Sequence, residues 1–434
     1  MGIKTAVSDS FPDWLFRKNN QIVHLKGRLE GNLQYIYILT YSFLVLAGLH
    51  RGLLLLRHFK NRNRQTYTYS TFLELPKVTV ALPIYNEAAV VSQLLEAVFR
   101  IDYPSSLLEV QILDDSTDET SDIIDEYISR PEASKFEINV IRRTIRTGFK
   151  AGALANAFSK AKGEFIAIFD SDFMPSPDFL LRTIHHFTDP GVGMVQTRWE
   201  FTNAEESLLT KGQSTLLTSH FKIEHFTKFC TGNFFHFNGT AGIWRRNSIM
   251  QAGGWSSDTL TEDLDLSYRA LLSGDRFIYL DEVTTKSELP QCMMDFRVQQ
   301  ARWCQGTVQV CKKLLSPILG CNFPLSVRLE AAFYLLSPLV YPCMIVFIFG
   351  MIFGYQIPNG LSGLGLFSFL TIVYYYGYSE WISGNKNVYS CLLRAINAIL
   401  VGSGLVFSNT MAVIRGLNSN SSGEFIRTPK LGVR

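Results

Sequence analysis

The chain has no Asp, Glu, Lys or Arg between residues 331 and 379. Crossing a hydrocarbon core takes roughly 20 apolar residues. These 49 uncharged positions are therefore enough for two membrane spans, broken at the turn signal Pro358-Asn359-Gly360. CxxC pairs are missing too, and the seven cysteines are odd in number. That argues against a disulfide scaffold or a zinc site and fits a reducing cytosol. No GxGxxG follows the first strand-like run, which disfavours a dinucleotide oxidoreductase. No basic stripe with interleaved aromatics occurs, so nucleic-acid binding has no support. An apolar run at 33–57, passing through His50-Arg51 into Leu53-Leu54-Leu55-Leu56, lacks a small-residue cleavage site and begins well inside the chain. It reads as an anchor and not as a signal peptide.

What the chain does have is unevenly placed. Its 434 residues have room for one catalytic domain of about 250 residues plus membrane helices. Most of the acids fall between 77 and 316, which reads as a soluble fold. The net charge of +3 says little, but Arg51, Arg57, Lys60, Arg62 and Arg64 crowd the C-terminal end of the first span. Positive charge favours the cytoplasmic side, so the large domain is expected inside, against a smaller opposing bias from Arg17, Lys18, Lys26 and Arg28.

From Lys77 onward, short β-branched runs alternate with helical stretches. Strands are predicted at 78–82, 110–113, 138–141 and 165–169, and helices at 88–101, 117–129 and 150–161. Such alternation implies a mostly parallel sheet covered on both faces. Ligands of these sheets sit beyond the carboxyl ends of the strands. Pro83-Ile84-Tyr85-Asn86-Glu87, Asp114-Asp115 and Asp170-Ser171-Asp172 each follow a strand, so one crevice can collect all three.

Each motif has a chemistry and a plainer alternative. Asp170 and Asp172 on one loop suit Mg²⁺ or Mn²⁺, which takes oxygen ligands from carboxylates and from substrate phosphates and stabilises a departing diphosphate as a Lewis acid; a solvated loop is the alternative. Asp114 and Asp115 suit hydrogen bonds to a base or ribose, or an N-cap for the next helix. Lys150, opening a helix after Arg143, Arg146 and Gly148, suits an anionic diphosphate, or belongs to a solvated basic loop. Thr261-Glu262-Asp263 offers a carboxylate to deprotonate an acceptor hydroxyl, but taken on its own the triplet reads first as an ordinary capping sequence. Gln299, Arg302 and Trp303 lie on an amphipathic helix predicted over 293–313. Gln and Arg can hold diphosphate oxygens, and Trp offers a sugar ring a flat face. Trp199 and the run 237–242 are further candidates for an acceptor groove.

With these residues in order, the chain resembles the membrane-bound processive family 2 glycosyltransferases, the group of cellulose synthases and cellulose-synthase-like glucan or mannan synthases. The likeness spans 77–313, and Phe237-Asn238-Gly239-Thr240-Ala241-Gly242-Ile243-Trp244-Arg245 is similar to the cellulose-synthase-like branch. The resemblance implies an α/β GT-A catalytic domain, Rossmann-like with a mostly parallel sheet, joined to transmembrane and interfacial α-helices. It implies that Pro83, Tyr85, Glu87, Asp114 or Asp115, Lys150 and Asp170 hold the nucleotide. Asp170 and Asp172 would hold the metal, Asp263 would act as general base, and Glu262, Gln299, Arg302 and Trp303 would face the diphosphate and the acceptor. Phe425, Thr428 and Lys430 resemble a gating loop that closes over the nucleotide.

The expected layout is a tail at 1–32, a span at 33–57, a cytosolic GT-A domain at 76–288, an interface helix at 289–320, two spans within 328–379, an interfacial or re-entrant helix at 388–416, and the gating-loop-like tail at 420–434. The expected reaction is inverting hexose transfer from a nucleotide sugar, UDP-glucose favoured and GDP-mannose the other donor, to the non-reducing end of a growing β-glycan. The alternative is a glycolipid synthase adding one sugar to a lipid, similar to ceramide glucosyltransferase. Relatives carry further spans after the gating loop, so a fragment, a homo-oligomer or a short product are all open. The plasma (inner) membrane is favoured over the Golgi.

Overall fold

The computed structural model describes residues 13–63, 69–418 and 432, with side chains from residue 31. Phe425, Thr428 and Lys430 lie outside the described residues. The catalytic block is a seven-stranded sheet made of β1 (Val78–Ile84), β2 (Leu108–Asp114), β3 (Glu137–Arg142), β4 (Phe165–Ile168), β5 (Val192–Phe201), β6 (Gly242–Arg245) and β7 (Arg276–Ser287). The strand order is β3-β2-β1-β4-β6-β5-β7, with only β6 antiparallel to its neighbours.

Successive side chains of a strand point to opposite faces, and the two cores follow that period. Val78, Val80, Leu82 and Ile84 join Phe165 and Ala167 on one face, while Ala81, Ile166 and Ile168 enter the other core with Trp244. The order reverses between β1 and β4, and at such a switch point the strand ends leave a crevice. β1, β2 and β4 run parallel, so Tyr85, Asp115 and Asp170 emerge from the same edge. The long strands β5 and β7 wall the crevice on its far side, and an isolated bridge between Met174 and Lys286 brings the end of β7 against the Asp170–Asp172 loop.

Among the described residues, three helical stretches are long and apolar enough to cross a membrane: Gly31–Asn61, Leu325–Ile352 and Asn359–Ile382. The first belongs to one helix running from Asp13 to Asn61, so residues 13–32, expected as a tail, are helical. No proline interrupts that stretch, and nothing stops the helix before Asn61. The helix carrying Gln299 and Trp303 runs Met293–Gly320, past residue 313 where the amphipathic pattern was expected to end and within the 289–320 segment of the expected layout. Small residues let the spans approach closely: a Cβ on Gly48 would collide with Ser368, and one on Gly350 with the Tyr37 ring.

After the third span, Val388–Ser403 and Val406–Asn418 meet at 48°. Both pack on the catalytic block. Asn397 Nδ2 donates to the Leu208 carbonyl at 2.7 Å, and Lys312 Nζ to that of Leu417 at 2.8 Å. Gly432 rests against the Ala89 carbonyl, beside the Tyr85-Asn86-Glu87 loop.

Ion pairs fasten the first span to the rest. Glu330 accepts from Arg57 Nη1 at 2.9 Å and lies 2.8 Å from His50 Nε2, while Arg51 reaches Glu224 at 3.1 Å. Removing one partner of a buried pair leaves a charge stranded, at a cost of about 3–5 kcal/mol. Glu330→Ala is expected to lower the thermal unfolding midpoint of the detergent-solubilised protein by several degrees, with Glu330→Gln losing less.

Candidate active site

The strand ends, the helix Glu262–Leu272 and the helix Met293–Gly320 enclose a cavity of about 180 Å³. Its lining contains Pro83, Tyr85, Glu87, Asp115, Lys150, Asp170, Asp172, Glu262, Asp263, Gln299, Arg302 and Trp303. Residues predicted from five separate stretches of sequence thus share one space. Trp199, Asn238 and Gly239, expected as acceptor-groove candidates, line it as well.

Asp114 does not reach the cavity. It is buried beneath it, accepting from Arg142 Nε at 2.8 Å, Ser121 Oγ at 2.7 Å and the Ser116 backbone N–H at 3.0 Å. These bonds hold its carboxyl below the usual range although burial works the other way. The next residue faces out instead: Asp115 lines the cavity and pairs with both Arg143 nitrogens on its side, Nε at 2.9 Å. Arg146 lies 3.3 Å over the Tyr85 ring and 3.8 Å from Asp115. Tyr85, Asp115 and Arg146 thereby make a slot with an aromatic floor and a charged rim.

Lys150 is the centre of the site. Gly148 enters the helix Phe149–Phe158 at φ 73°, and the first turn carries the lysine inward. Its Nζ donates to Asp170 Oδ1 at 2.5 Å and to the Gly239 carbonyl at 2.9 Å, with Glu262 at 4.0 Å. Burial opposes its charge, but Asp170 and Glu262 prevail and raise its pKa. Gly239 has φ 85°, and a Cβ there would lie 2.9 Å from Asp263 Oδ2, so only glycine lets this loop approach the acid. Asp172 is oriented from the other side by Ser287 Oγ, which donates to Oδ2 at 2.8 Å.

The capping reading of Thr261-Glu262-Asp263 fails. Thr261 stands at the N-cap position without a side-chain cap bond, because its side chain packs against Gly306 of the neighbouring helix. The acids occupy the first turn, where the helix dipole favours negative charge. Asp263 is nevertheless pushed up to about 7 by burial and then by Glu262, with Lys150 opposing. Arg302 is pushed down by burial, with Glu262, Asp170 and Asp263 countering.

Two residues that sequence reasoning passed over belong here, Ser287 and Glu288. Ser287 closes the long strand β7 and Glu288 follows it, the same strand-end signal that pointed to the other acids. Seven carboxylates and three cationic side chains line the cavity. A nucleoside diphosphate cannot enter such an excess of negative charge without a cation to offset it. Asp170 and Asp172 present hard oxygen donors at one loop, the donor set that Mg²⁺ or Mn²⁺ prefers.

A mixed, mostly parallel sheet with strand-end carboxylates, joined to an aromatic-bearing helix and to candidate membrane spans, is the GT-A arrangement. Residues 79–252 match the family described as Glycosyl transferase family 2. Among curated proteins, the chain is 36% identical over 280 residues to a probable glucomannan 4-beta-mannosyltransferase 1 of Arabidopsis thaliana, covering 62% of this chain and 51% of that protein. It is 42% identical over 270 residues to a probable glucomannan 4-beta-mannosyltransferase 3 of Oryza sativa subsp. japonica, covering 60% and 48%. The chain spans about half the length of these curated relatives. In fold it is similar to the mannosyltransferase PcManGT of Pyrobaculum calidifontis, solved in complex with GDP-Man and Mn²⁺, at TM-score 0.57 and 22% identity, covering 85% of this chain and 99% of that one. Over residues 79–252 the chain thus matches glycosyl transferase family 2, and over about 60% of its length it is similar to curated glucomannan mannosyltransferases.

Two expectations follow. In the base role that the resemblance implies, Asp263 must be ionised to accept a proton, so with its pKa raised to about 7, kcat/KM is expected to fall about tenfold per pH unit below that value and to level off above it. Asp263→Asn should lose about 10²–10⁴-fold in rate at every pH and abolish that limb. Separately, Asp114→Ala is expected to lower the melting temperature, whereas Asp115→Ala should chiefly raise KM for the donor, a contrast read by thermal shift and initial-rate kinetics.

Proposed function

We propose that the chain transfers mannose, with inversion, from GDP-mannose to the non-reducing end of a growing β-linked glycan at the inner membrane face. The observation that carries this is the joint lining of one cavity by Asp170, Asp172, Asp263 and Trp303. The names of the 36% and 42% identical relatives favour a mannosyl donor. They lend no support to UDP-glucose, the donor favoured from sequence.

In this reading Tyr85, Glu87, Asp115 and Arg146 receive the nucleoside. Asp170 and Asp172 would hold a divalent cation, Mg²⁺ or Mn²⁺, which supplies Lewis-acid stabilisation to the departing diphosphate. Trp303 supports the terminal acceptor sugar. Asp263 takes the proton from its hydroxyl as the oxygen bonds to the donor C1, and the bond from C1 to the diphosphate oxygen breaks on the opposite face. Gln299 and Arg302 donate to the leaving diphosphate. One base and no second carboxylate acting as nucleophile gives net inversion, from an α-linked donor to a β-linked product.

The membrane arrangement fits a catalytic block on the cytosolic side. The first span leads in, Leu325–Ile352 out and Asn359–Ile382 back. The bent pair 388–418 packs on the catalytic helices, and Gly432 lies beside Ala89, which supports a re-entrant or interfacial course for that pair.

Purified full-length protein given radiolabelled GDP-mannose with Mn²⁺ or Mg²⁺ is expected to form an ethanol-insoluble polymer, with UDP-glucose a poor donor. EDTA or Asp172→Ala should abolish incorporation, and Trp303→Ala should shorten the product. Incorporation from UDP-glucose alone would overturn the donor assignment. A single organic-soluble product would replace the glycan acceptor with a lipid.

A further inference from the structure

We propose that His220, His225 and His236 form a second metal site, built from histidine alone, which takes a borderline divalent cation such as Zn²⁺ beneath the catalytic cavity. One ring nitrogen from each histidine lies within 4.8 Å of the other two. Three points so spaced fit on a circle of at most about 2.8 Å radius, against a Zn–N bond of about 2.0–2.1 Å. Each ring therefore has to move by less than about an ångström to close on the ion.

The backbone is arranged to bring these rings together. An α-helix sets residues five apart about 140° around its axis. Residues His220–His225 instead form a π-helical turn, bonded i to i+5, which stacks the first residue on the last. The His220 and His225 rings are 4.2 Å apart at their centroids, and His236 arrives from the loop that continues into Asn238 and Gly239. π turns occur mostly as single-turn insertions and often at functional sites.

One nitrogen of His225 is engaged and the other is not. Nε2 lies 3.0 Å from the His236 carbonyl oxygen and 3.1 Å from Asn238 Nδ2. Nδ1 is buried and without a hydrogen-bond partner among the described residues. A ring that donates one N–H to a backbone carbonyl and aims the other nitrogen inward is the usual state of a metal-ligating histidine. The other two rings have outer partners as well. His236 Nε2 is 3.4 Å from the Tyr334 hydroxyl, while both His220 nitrogens are engaged, Nε2 by Asn238 Oδ1 at 3.2 Å and Nδ1 by Glu224 Oε2 at 3.5 Å, so His220 releases one of them to bind the ion.

Charge selects the ion. Glu224 is already engaged by Lys228 Nζ at 2.8 Å and by Arg51, so little negative charge is left over. A hard cation that needs several oxygen ligands is disfavoured, and a nitrogen-preferring one is not. The cysteine arithmetic that argued against zinc speaks to thiolate sites and leaves imidazole sites open. The consequence for the enzyme is positional. Asn238 touches both His220 and His225, and Asn238 and Gly239 line the catalytic cavity, so an ion here pins the loop that Lys150 and Asp263 meet.

The test uses full-length protein purified without a polyhistidine tag, equilibrated with Zn²⁺ and dialysed against excess Mg²⁺, with zinc measured by mass spectrometry. About one zinc per chain is expected in the wild type and in Asp172→Ala. In His225→Ala and His236→Ala the zinc should fall to background, and His220→Gln should weaken binding roughly tenfold or more. Because the alanine variants can fail to fold, Co²⁺ is titrated into the wild type in parallel, with visible d–d bands of a nitrogen-ligated site expected. No retained zinc and no cobalt bands in the wild type would overturn the site. So would zinc that survives the histidine substitutions or vanishes with Asp172→Ala.

Discussion

The ammonium of Lys150 is the contact on which the rest of the site depends. It joins the Asp170 loop, the Gly239 loop and the first turn of the helix beginning at Glu262, segments that are far apart in sequence. Without a buried cation at that point, Asp170, Glu262 and Asp263 would repel one another in a space with little water to screen them. The lysine charge survives burial only because those acids surround it, and the acids tolerate proximity only because of the lysine. Each side makes the other's ionised state affordable, so neither motif carries the chemistry alone.

The balance is deliberately incomplete. Lys150 binds Asp170 directly and stands 4.0 Å from Glu262, but it counters Asp263 only in part, and the carboxyl proposed as base stays near neutrality. A carboxylate held lower would be a poor proton acceptor for a sugar hydroxyl, and one held higher would be protonated in the cell. Burial in the first helical turn, against a neighbouring acid, lifts Asp263 into the useful range. The glycine at 239 allows the distance.

Much of this was legible in the sequence, for a physical reason. A parallel sheet delivers strand-end residues to one edge, so acids placed directly after apolar runs identify the crevice without any knowledge of side-chain positions. The same rule cannot tell Asp114 from Asp115. Adjacent residues at a strand end point opposite ways, and only the presence of Arg142 and Ser121 beneath the sheet shows that Asp114 is the structural member. Thr261 was misread because its capping signature is local, whereas the contact with Gly306 that displaces it comes from a helix forty-odd residues on. Strands β5 to β7 went unpredicted, since β6 is only four residues long and β5 and β7 pair across a long separation in sequence. The histidine cluster was invisible because α-helical spacing would scatter it, and a π turn leaves no simple periodic mark.

The membrane spans do more than anchor this arrangement. Arg51 of the first span grips Glu224, which holds Lys228 and stands beside His220, which in turn reaches Asn238 at the cavity wall. Every link in that chain is buried or half-buried, where polar groups cannot exchange partners with water cheaply. A shift of the first span along its axis would have to break the Arg51–Glu224 pair or carry the π turn with it. Because that turn contacts the same loop that Lys150 fixes, the geometry of the catalytic acids is tied to the position of the spans. The proposed transfer at the membrane face gains from such a tie, because the acids of the site and the spans then share one rigid frame.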